Sequence, residues 1–304
     1  MGVAVIFPGQ GTQEPGMGSP WRDHPAWRVI QEAETAFGEP LGDLVLDATA
    51  EELARTRAAQ LAVLLTSLLA WEAVKDRLHE PIAFAGHSLG QVTALIAAGV
   101  VPLDAGIRFA ARRAELTQAA ADAHPGRMAA LLGATLEQAD AACAAAPGEC
   151  WIANDNAPGQ IVIAGTPAGV DAASATAREA GVRRVTPLNV GGAFHTPLMA
   201  DAEPGLRAEL ATIPLRAPDA VVVSNADARA YDDAEGWRER LPVHPQSPVR
   251  WRESMATMVE LGVTGFLEVG HGSMLASLAK RTTPDVPVRG IGTPDECSVL
   301  TEVA

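Results

Sequence analysis

The chain is short of several things at once, and each shortage closes off a class of explanation. Cysteine occurs three times, at Cys143, Cys150 and Cys297. That spacing forms neither a disulfide framework nor a metal-ligand set, so no metal site is expected. Cys143 and Cys150 are expected to pack near a short helix and a strand, without a redox role. Aromatic residues make up 4% of the chain, which leaves aliphatic side chains to fill the core. Basic residues are outnumbered, 23 Lys and Arg against 37 Asp and Glu, for a formal charge of −14. Non-specific nucleic-acid binding and an anionic-membrane role are therefore disfavoured. An acidic partner would need a local basic patch. Residues 3–7 are apolar and follow no basic region or cleavage-like site, which argues against a signal peptide. The most apolar stretch, residues 61–70, is too short to span a bilayer and is bounded by Gln60 and Glu72. A reducing, cytoplasmic setting is expected.

What is present suffices for a large fold. At 304 residues, 48% apolar and 20% charged, the chain can bury a substantial core as two average domains or one large domain with an insertion. Residues 3–7 read as a buried strand ending at Pro8-Gly9-Gln10-Gly11. Helical patterns follow at 26–37 and 50–77, then a strand at 82–85, a helix from about Leu89 and another over 104–121. Apolar strands alternating with helices predict a parallel sheet covered on both faces.

The middle of the chain reads differently. Strands are predicted at 128–132, 151–153, 160–164 and 182–190, with helices at 136–145 and 167–180. Asn-Asp-Asn-Ala-Pro-Gly, residues 154–159, is read as the turn between the two central strands. This β-α-β-β-α-β order matches a ferredoxin-like split unit. Strands at 220–224, 264–268 and 286–290, with helices at 252–261 and 273–281, complete the larger unit. The expected fold is thus α/β, with a parallel-sheet domain over 1–126 and 191–304 and a small ferredoxin-like subdomain, 127–190, inserted into it.

The chemistry concentrates first at Gly86-His87-Ser88-Leu89-Gly90, between a predicted strand and a predicted helix. Glycines on either side of a serine remove side chains where strand reverses into helix, exposing Oγ at the sheet's carboxyl edge. The helix N-terminus offers free N–H groups, chiefly that of Leu89, to an oxyanion. Taken alone, the motif leaves an ordinary turn, hydrolysis and acyl transfer all open. The loop Phe7-Pro8-Gly9-Gln10-Gly11-Thr12-Gln13 lacks lysine and has two glycines, so it is not a phosphate-cradling loop.

FPGQGTQ, GHSLGQVTALIAAGV, NDNAPGQIVIAG, GGAFHTPLM, SPVRW and EVGHGSMLASLAKR occur in this order. Together they resemble the malonyl-CoA:acyl carrier protein transacylases and the related acyltransferase domains of polyketide synthases, from about residue 3 to residue 292. The resemblance implies an α/β-hydrolase-like large domain with a ferredoxin-like small one. It implies Ser88 as acylated nucleophile, His195 as general base, and backbone N–H groups of Gln10 and Leu89 as the oxyanion hole. It implies that the base is oriented by a backbone carbonyl rather than an aspartate, at the position of His244, where glutamine is usual.

Arg113, rather than Arg112, aligns with the arginine that pairs with the malonyl carboxylate. Phe194, before the histidine, resembles the malonyl-selective set, whereas serine is found there in methylmalonyl-selective relatives. Asn154 and Asn156 fall in the hairpin that lines the cleft in relatives. Arg183 and Arg184 align with a basic pair at the coenzyme A and carrier entrance, and Lys280 and Arg281 form a second candidate patch. Malonyl-CoA is then a substrate, no cofactor is expected, and the partner is an acyl carrier protein met by a monomer. The alternatives are a serine hydrolase or thioesterase of related fold, and an acyltransferase for another carboxylated unit such as methylmalonyl. Gln91 stands where glutamate is common, and His271 and Ser273 where proline and lysine are.

Overall fold

The structure is a computed structural model describing residues 2–297. Residue 1 and residues 298–304, included above in the larger domain, lie outside the described residues. The strands are β1 (Val3–Phe7), β2 (Ala83–Gly86), β3 (Arg127–Leu132), β4 (Cys150–Ala157), β5 (Gln160–Gly165), β6 (Arg184–Pro187), β7 (Val221–Val223), β8 (Ala230–Tyr231), β9 (Gly265–Val269) and β10 (Val288–Ile291). Six of them form one sheet in the order β10-β9-β1-β2-β7-β8. It is parallel apart from β8, which returns antiparallel to β7.

The apolar strands lack a polar face because both faces of this sheet are covered. Val5, Phe7 and Phe84 point into a core built with the helices Thr56–Val74, Gly90–Ala97 and Leu103–Ala123. Their neighbours Ala4, Ile6, Ala83 and Ala85 point the other way, toward Trp251, Met255 and Leu275. The two-residue period of a strand sorts the side chains.

The single helix expected over 50–77 is instead divided. Ala50–Leu53 is capped by Thr49, Arg55 is extended, and Thr56–Val74 begins anew before a 3-10 turn at Lys75–Arg77. The continuous helix is therefore longer than its most apolar run and, with the turn, is long and apolar enough to cross a membrane by length and composition. Here 72% of its most apolar window is buried inside the protein, as the central helix of the larger core.

The second sheet, in the order β4-β5-β3-β6, is antiparallel throughout. Helices Leu136–Ala144 and Pro167–Glu179 cover one face, completing the ferredoxin-like pattern. Cys143 on the first helix and Cys150 on β4 are free thiols with their sulfurs 4.0 Å apart. The opposite face, with Met128, Ala130 and Val162, turns toward Phe194 and Val190.

Two boundaries depart from the sequence reading. Asn154, Asp155 and Asn156 lie within β4 rather than in a turn, and the hairpin closes at Pro158-Gly159, where Gly159 has φ 71°. Register shifts at Ile152/Asn154 and Asp155/Ala157 let polar residues continue the strand by redirecting their side chains. The last strand is also shorter than residues 182–190. Pro187 has no N–H, Leu188 makes a closing bond to Met128, and residues 188–190 line a cleft.

The sheet register brings the carboxyl ends of β1 and β2 side by side, Phe7 opposite Gly86. The loops beyond them are thereby adjacent, and close approach there excludes side chains. A Cβ at Gly86 would sit 1.8 Å from the Gly90 carbonyl oxygen, and one at Gly90 would sit 2.2 Å from that of Phe7. Gly86→Ala is therefore expected to lose about 3 kcal/mol or more of stability in urea unfolding. Gly265→Ala, whose new methyl has its nearest neighbour at 3.9 Å, is expected to stay within about 1 kcal/mol of the parent.

Candidate active site

Ser88 sits at the turn between β2 and helix Gly90–Ala97 with φ 52°, in the left-handed region. Such a backbone costs about 1–3 kcal/mol and persists only where its surroundings hold it. Here Asn225 does so. Its Oδ1 accepts from the Ser88 N–H at 2.8 Å and its Nδ2 donates to the Gly86 carbonyl at 2.8 Å. The Asn225 N–H in turn donates to Gln91 Oε1 at 3.0 Å. The glutamine at position 91 thus has a defined place: it is 1% exposed and accepts a backbone bond behind the nucleophile.

His195 stands over Ser88, with Nε2 2.7 Å from Oγ. Its Nδ1 lies 3.0 Å from the Ser247 carbonyl, and its backbone N–H donates to the Pro245 carbonyl at 2.8 Å. A carbonyl only accepts, so Nδ1 carries the proton and Nε2 is free to take one from serine. Burial above all, then the charge of Arg113, holds the imidazole down to about 3, against the pull of the Ser247 carbonyl. The ring is a neutral base across the physiological range.

The carbonyl within hydrogen-bond distance of Nδ1 is that of Ser247, which the sequence reading did not name, and the His244 carbonyl it did name also acts on the ring. The His244 carbonyl closes the 3-10 turn His244–Gln246 by accepting the Ser247 N–H, and contributes less at the ring. The His244 side chain is 3% exposed and off the cleft wall, so it does not line a substrate site. Its Nε2 meets Asn225 Oδ1 at 3.2 Å, and its ring centre lies 5.4 Å from that of His195. Burial holds its pKa well below the usual histidine range.

Gln10 and Leu89 line the same cleft, and neither backbone N–H has an acceptor among the described residues. Gly9 presses the Gln10 loop onto the elbow, since a Cβ there would lie 2.3 Å from the His87 carbonyl oxygen. The two free donors are placed to receive an oxyanion.

Arg113 projects from helix Leu103–Ala123 and is 3% exposed. Its guanidinium donates to Gln60 Oε1 at 2.7 Å and approaches Ser88 Oγ at 3.4 Å. Its Nε is buried without a partner, and no carboxylate pairs with it among the described residues. Burial lowers its pKa only to about 10, so the cation persists. Arg112, by contrast, is exposed and paired with Glu115. A buried cation without a counter-ion, beside a nucleophile, is a seat for an anion.

The cleft holds roughly 510 Å³, with Met128, Ala130, Val162 and Phe194 as its apolar wall. Asn154 and Asn156 line it as expected, and Asn156 Oδ1 is also 2.7 Å from His87 Nε2, tying β4 to the elbow. Arg183, Arg184, Lys280 and Arg281 are all exposed. Arg281 hooks the β4–β5 turn through Gln160 and the Pro158 carbonyl, and Gly133 brings Arg183 to the same turn. Arg184 bonds Thr186 on its own strand. His271 faces Glu14 across the loop contact of Gly272 with Thr12. Among the described residues, no three His, Cys, Asp or Glu side chains cluster so as to hold a metal. Sequence reasoning missed Asn225 and Gln60, which no local pattern marks, and gave no role to Ser247 although it opens SPVRW.

Residues 4–293 match the family described as acyl transferase domain. The chain is 36% identical over 298 residues to the malonyl CoA-acyl carrier protein transacylase of Bacillus subtilis, covering 96% of this chain and 94% of that protein. It is 37% identical to the protein of the same name from Haemophilus influenzae, covering 93% of each. Among solved structures, a malonyl-transacylase in complex with a type II polyketide synthase acyl-carrier protein superposes with TM-score 0.95 at 33% identity, each chain fully covered. A malonyl-CoA:acyl carrier protein transacylase from Xanthomonas oryzae gives 0.94 at 37% identity, covering 99% of this chain and 98% of that one.

The depressed pKa of His195 moves the acid limb of serine reactivity downward. A base titrating at the usual 6.5 would lose about ten-fold in rate between pH 7.5 and 5.5. Labelling of Ser88 by a fluorophosphonate is expected to change by less than about two-fold over that range. A ten-fold fall in labelling rate would contradict the buried, neutral imidazole.

Proposed function

The chain belongs to the acyl transferase domain family, and from that premise we propose that it moves a malonyl group from malonyl-CoA to the phosphopantetheine thiol of an acyl carrier protein. The observation that carries this reading is the buried Arg113, paired with no carboxylate among the described residues and 3.4 Å from the nucleophile. A planar guanidinium takes a carboxylate through two parallel bonds, and the free Nε is one further donor.

The reaction runs in two halves through one site. His195 Nε2 takes the Ser88 hydroxyl proton as Oγ attacks the thioester carbon, and the oxyanion is received by the Gln10 and Leu89 N–H groups. Collapse expels the coenzyme A thiolate, which takes the proton back from His195, and malonyl-Ser88 remains. The carrier's thiol then gives its proton to His195, attacks the ester and leaves with the malonyl group as Ser88 recovers its hydrogen.

Arg113 acts twice in this scheme. Its charge opposes the imidazolium that forms on His195, as the depressed pKa records. A malonyl carboxylate neutralises that charge and eases proton transfer, whereas an acetyl group leaves the opposition in place. The preference for a carboxylated acyl chain is thus expressed in the transition state as well as in binding. Phe194 crowds the α-carbon against methylmalonyl, a discrimination worth about 1–3 kcal/mol for one methyl.

Arg183, Arg184, Lys280 and Arg281 form the basic lip met by an acidic carrier, a contrast with the net charge of −14 of the chain as a whole. The protein acts as a cytoplasmic monomer supplying malonyl units to fatty-acid or polyketide condensation, and its own side chains suffice for the chemistry. A thioesterase reading is less well supported, because a neutral acyl or fatty chain gives Arg113 no partner.

Arg113→Ala provides the test. The value of kcat/KM for malonyl-CoA is expected to fall about 100-fold or more, while acetyl-CoA is accepted as well as or better than by the parent. An unchanged preference for malonyl-CoA in this variant would overturn the assignment.

A further inference from the structure

Asn225 lies just beyond β7, is 1% exposed, and uses every polar atom it has. Its Oδ1 accepts from the Ser88 N–H and from His244 Nε2, and its Nδ2 donates to the Gly86 carbonyl. Its N–H donates to Gln91 Oε1, and its carbonyl accepts the Arg250 N–H at 2.8 Å. Gly86, Ser88 and Gln91 belong to the nucleophile elbow. His244 and Arg250 bracket the segment whose Pro245 and Ser247 carbonyls hold the backbone and ring of His195.

We propose that Asn225 is a positioning residue that fixes the distance between Ser88 and His195 by joining the elbow to the segment that orients the base. The proposal rests on the Ser88–His195 dyad assigned above and adds what aligns it. The two groups come from distant parts of the chain, so their distance depends on the contacts that join the elements carrying them. Only an amide in this orientation answers the serine N–H on one side and the glycine carbonyl on the other. A carboxylate would turn its second oxygen toward that carbonyl.

Gln91 and His244 complete the bridge from either end. Acceptance by Oδ1 requires the proton of His244 on Nε2, which leaves its Nδ1 bare and, in this fold, without a partner. His244 therefore enters the bridge as a neutral donor, and a glutamine amide in its place offers the same N–H. Because Gln91 meets the backbone of Asn225 and His244 its side chain, the two residues act through one shared neighbour. Asn225, with each of its own polar atoms bonded, is the fixed centre of this buried bridge, and small errors in dyad alignment are amplified in rate.

The test uses the full-length protein and the single-turnover rate at which malonyl-CoA acylates Ser88, read by intact mass and normalised to folded protein. Asn225→Ala is expected to lower that rate roughly 100-fold at saturating malonyl-CoA, with KM within about three-fold. His244→Leu is expected to lower it roughly ten-fold, and to add less than two-fold on the Asn225→Ala background. His244→Gln, which keeps a donor for Oδ1, is expected to stay within about three-fold of the parent. Met258→Ala, a buried apolar truncation on helix Trp251–Glu260, serves as the control for lost stability and is expected to acylate normally once folded. Parent-like acylation by Asn225→Ala, or equal losses in His244→Leu and His244→Gln, would overturn the proposal. If Asn225→Ala does not fold, the contrast between His244→Leu and His244→Gln decides alone. A Ser88→Ala protein that is still malonylated would instead remove the dyad itself, a separate outcome.

Discussion

A guanidinium shut away from water without a carboxylate to answer it is costly, and the architecture around Arg113 is arranged to tolerate that state. Gln60 accepts one of its bonds and Ser88 Oγ lies within reach of another, but neither supplies negative charge. The positive potential left over acts on everything nearby. It helps to keep His195 neutral, and it favours negative charge beside the nucleophile. One buried charge thus adds to burial in keeping the base neutral and favours an acyl group that carries a carboxylate.

The parallel sheet makes this proximity possible. Register between β1 and β2 sets the oxyanion loop against the elbow, and the glycines at 9, 86 and 90 are required because backbone passes through the space a Cβ would fill. The small antiparallel sheet supplies the opposite wall and is tied to the elbow through Asn156 and His87. The base arrives on a third segment, and Asn225 bridges it to the first. Strain at Ser88 and at His195, both at positive φ, is held by these contacts rather than by either residue's own preference.

Much of this was legible in the order of residues, and what was not has a physical reason. Alternating apolar strands and helices are local patterns, so both sheets and the inserted unit could be read directly. The Ser88 motif carries its own geometry in its glycines. Asn225 and Gln60 carry no such mark: they meet their partners across 137 and 53 residues, and only the folded sheet brings them there. Asn154 to Asn156 looked like a turn because their side chains favour one in isolation, yet β-bulges and the edge of a sheet overrode that preference. The resemblance points to the His244 carbonyl at the base, and the 3-10 turn there brings the Ser247 carbonyl to Nδ1 as well, a partner that depends on the fold of the turn.

The central claim is that Ser88 holds a carboxylated acyl group for a thiol rather than for water. The direct measurement is the fate of isolated malonyl-enzyme, formed with labelled malonyl-CoA, freed of coenzyme A, and followed in buffer with and without pantetheine. Acyl transfer predicts an adduct on Ser88 that persists in buffer and is discharged by the thiol as malonyl-pantetheine. Release of free malonate at the same rate whether or not the thiol is present would contradict it.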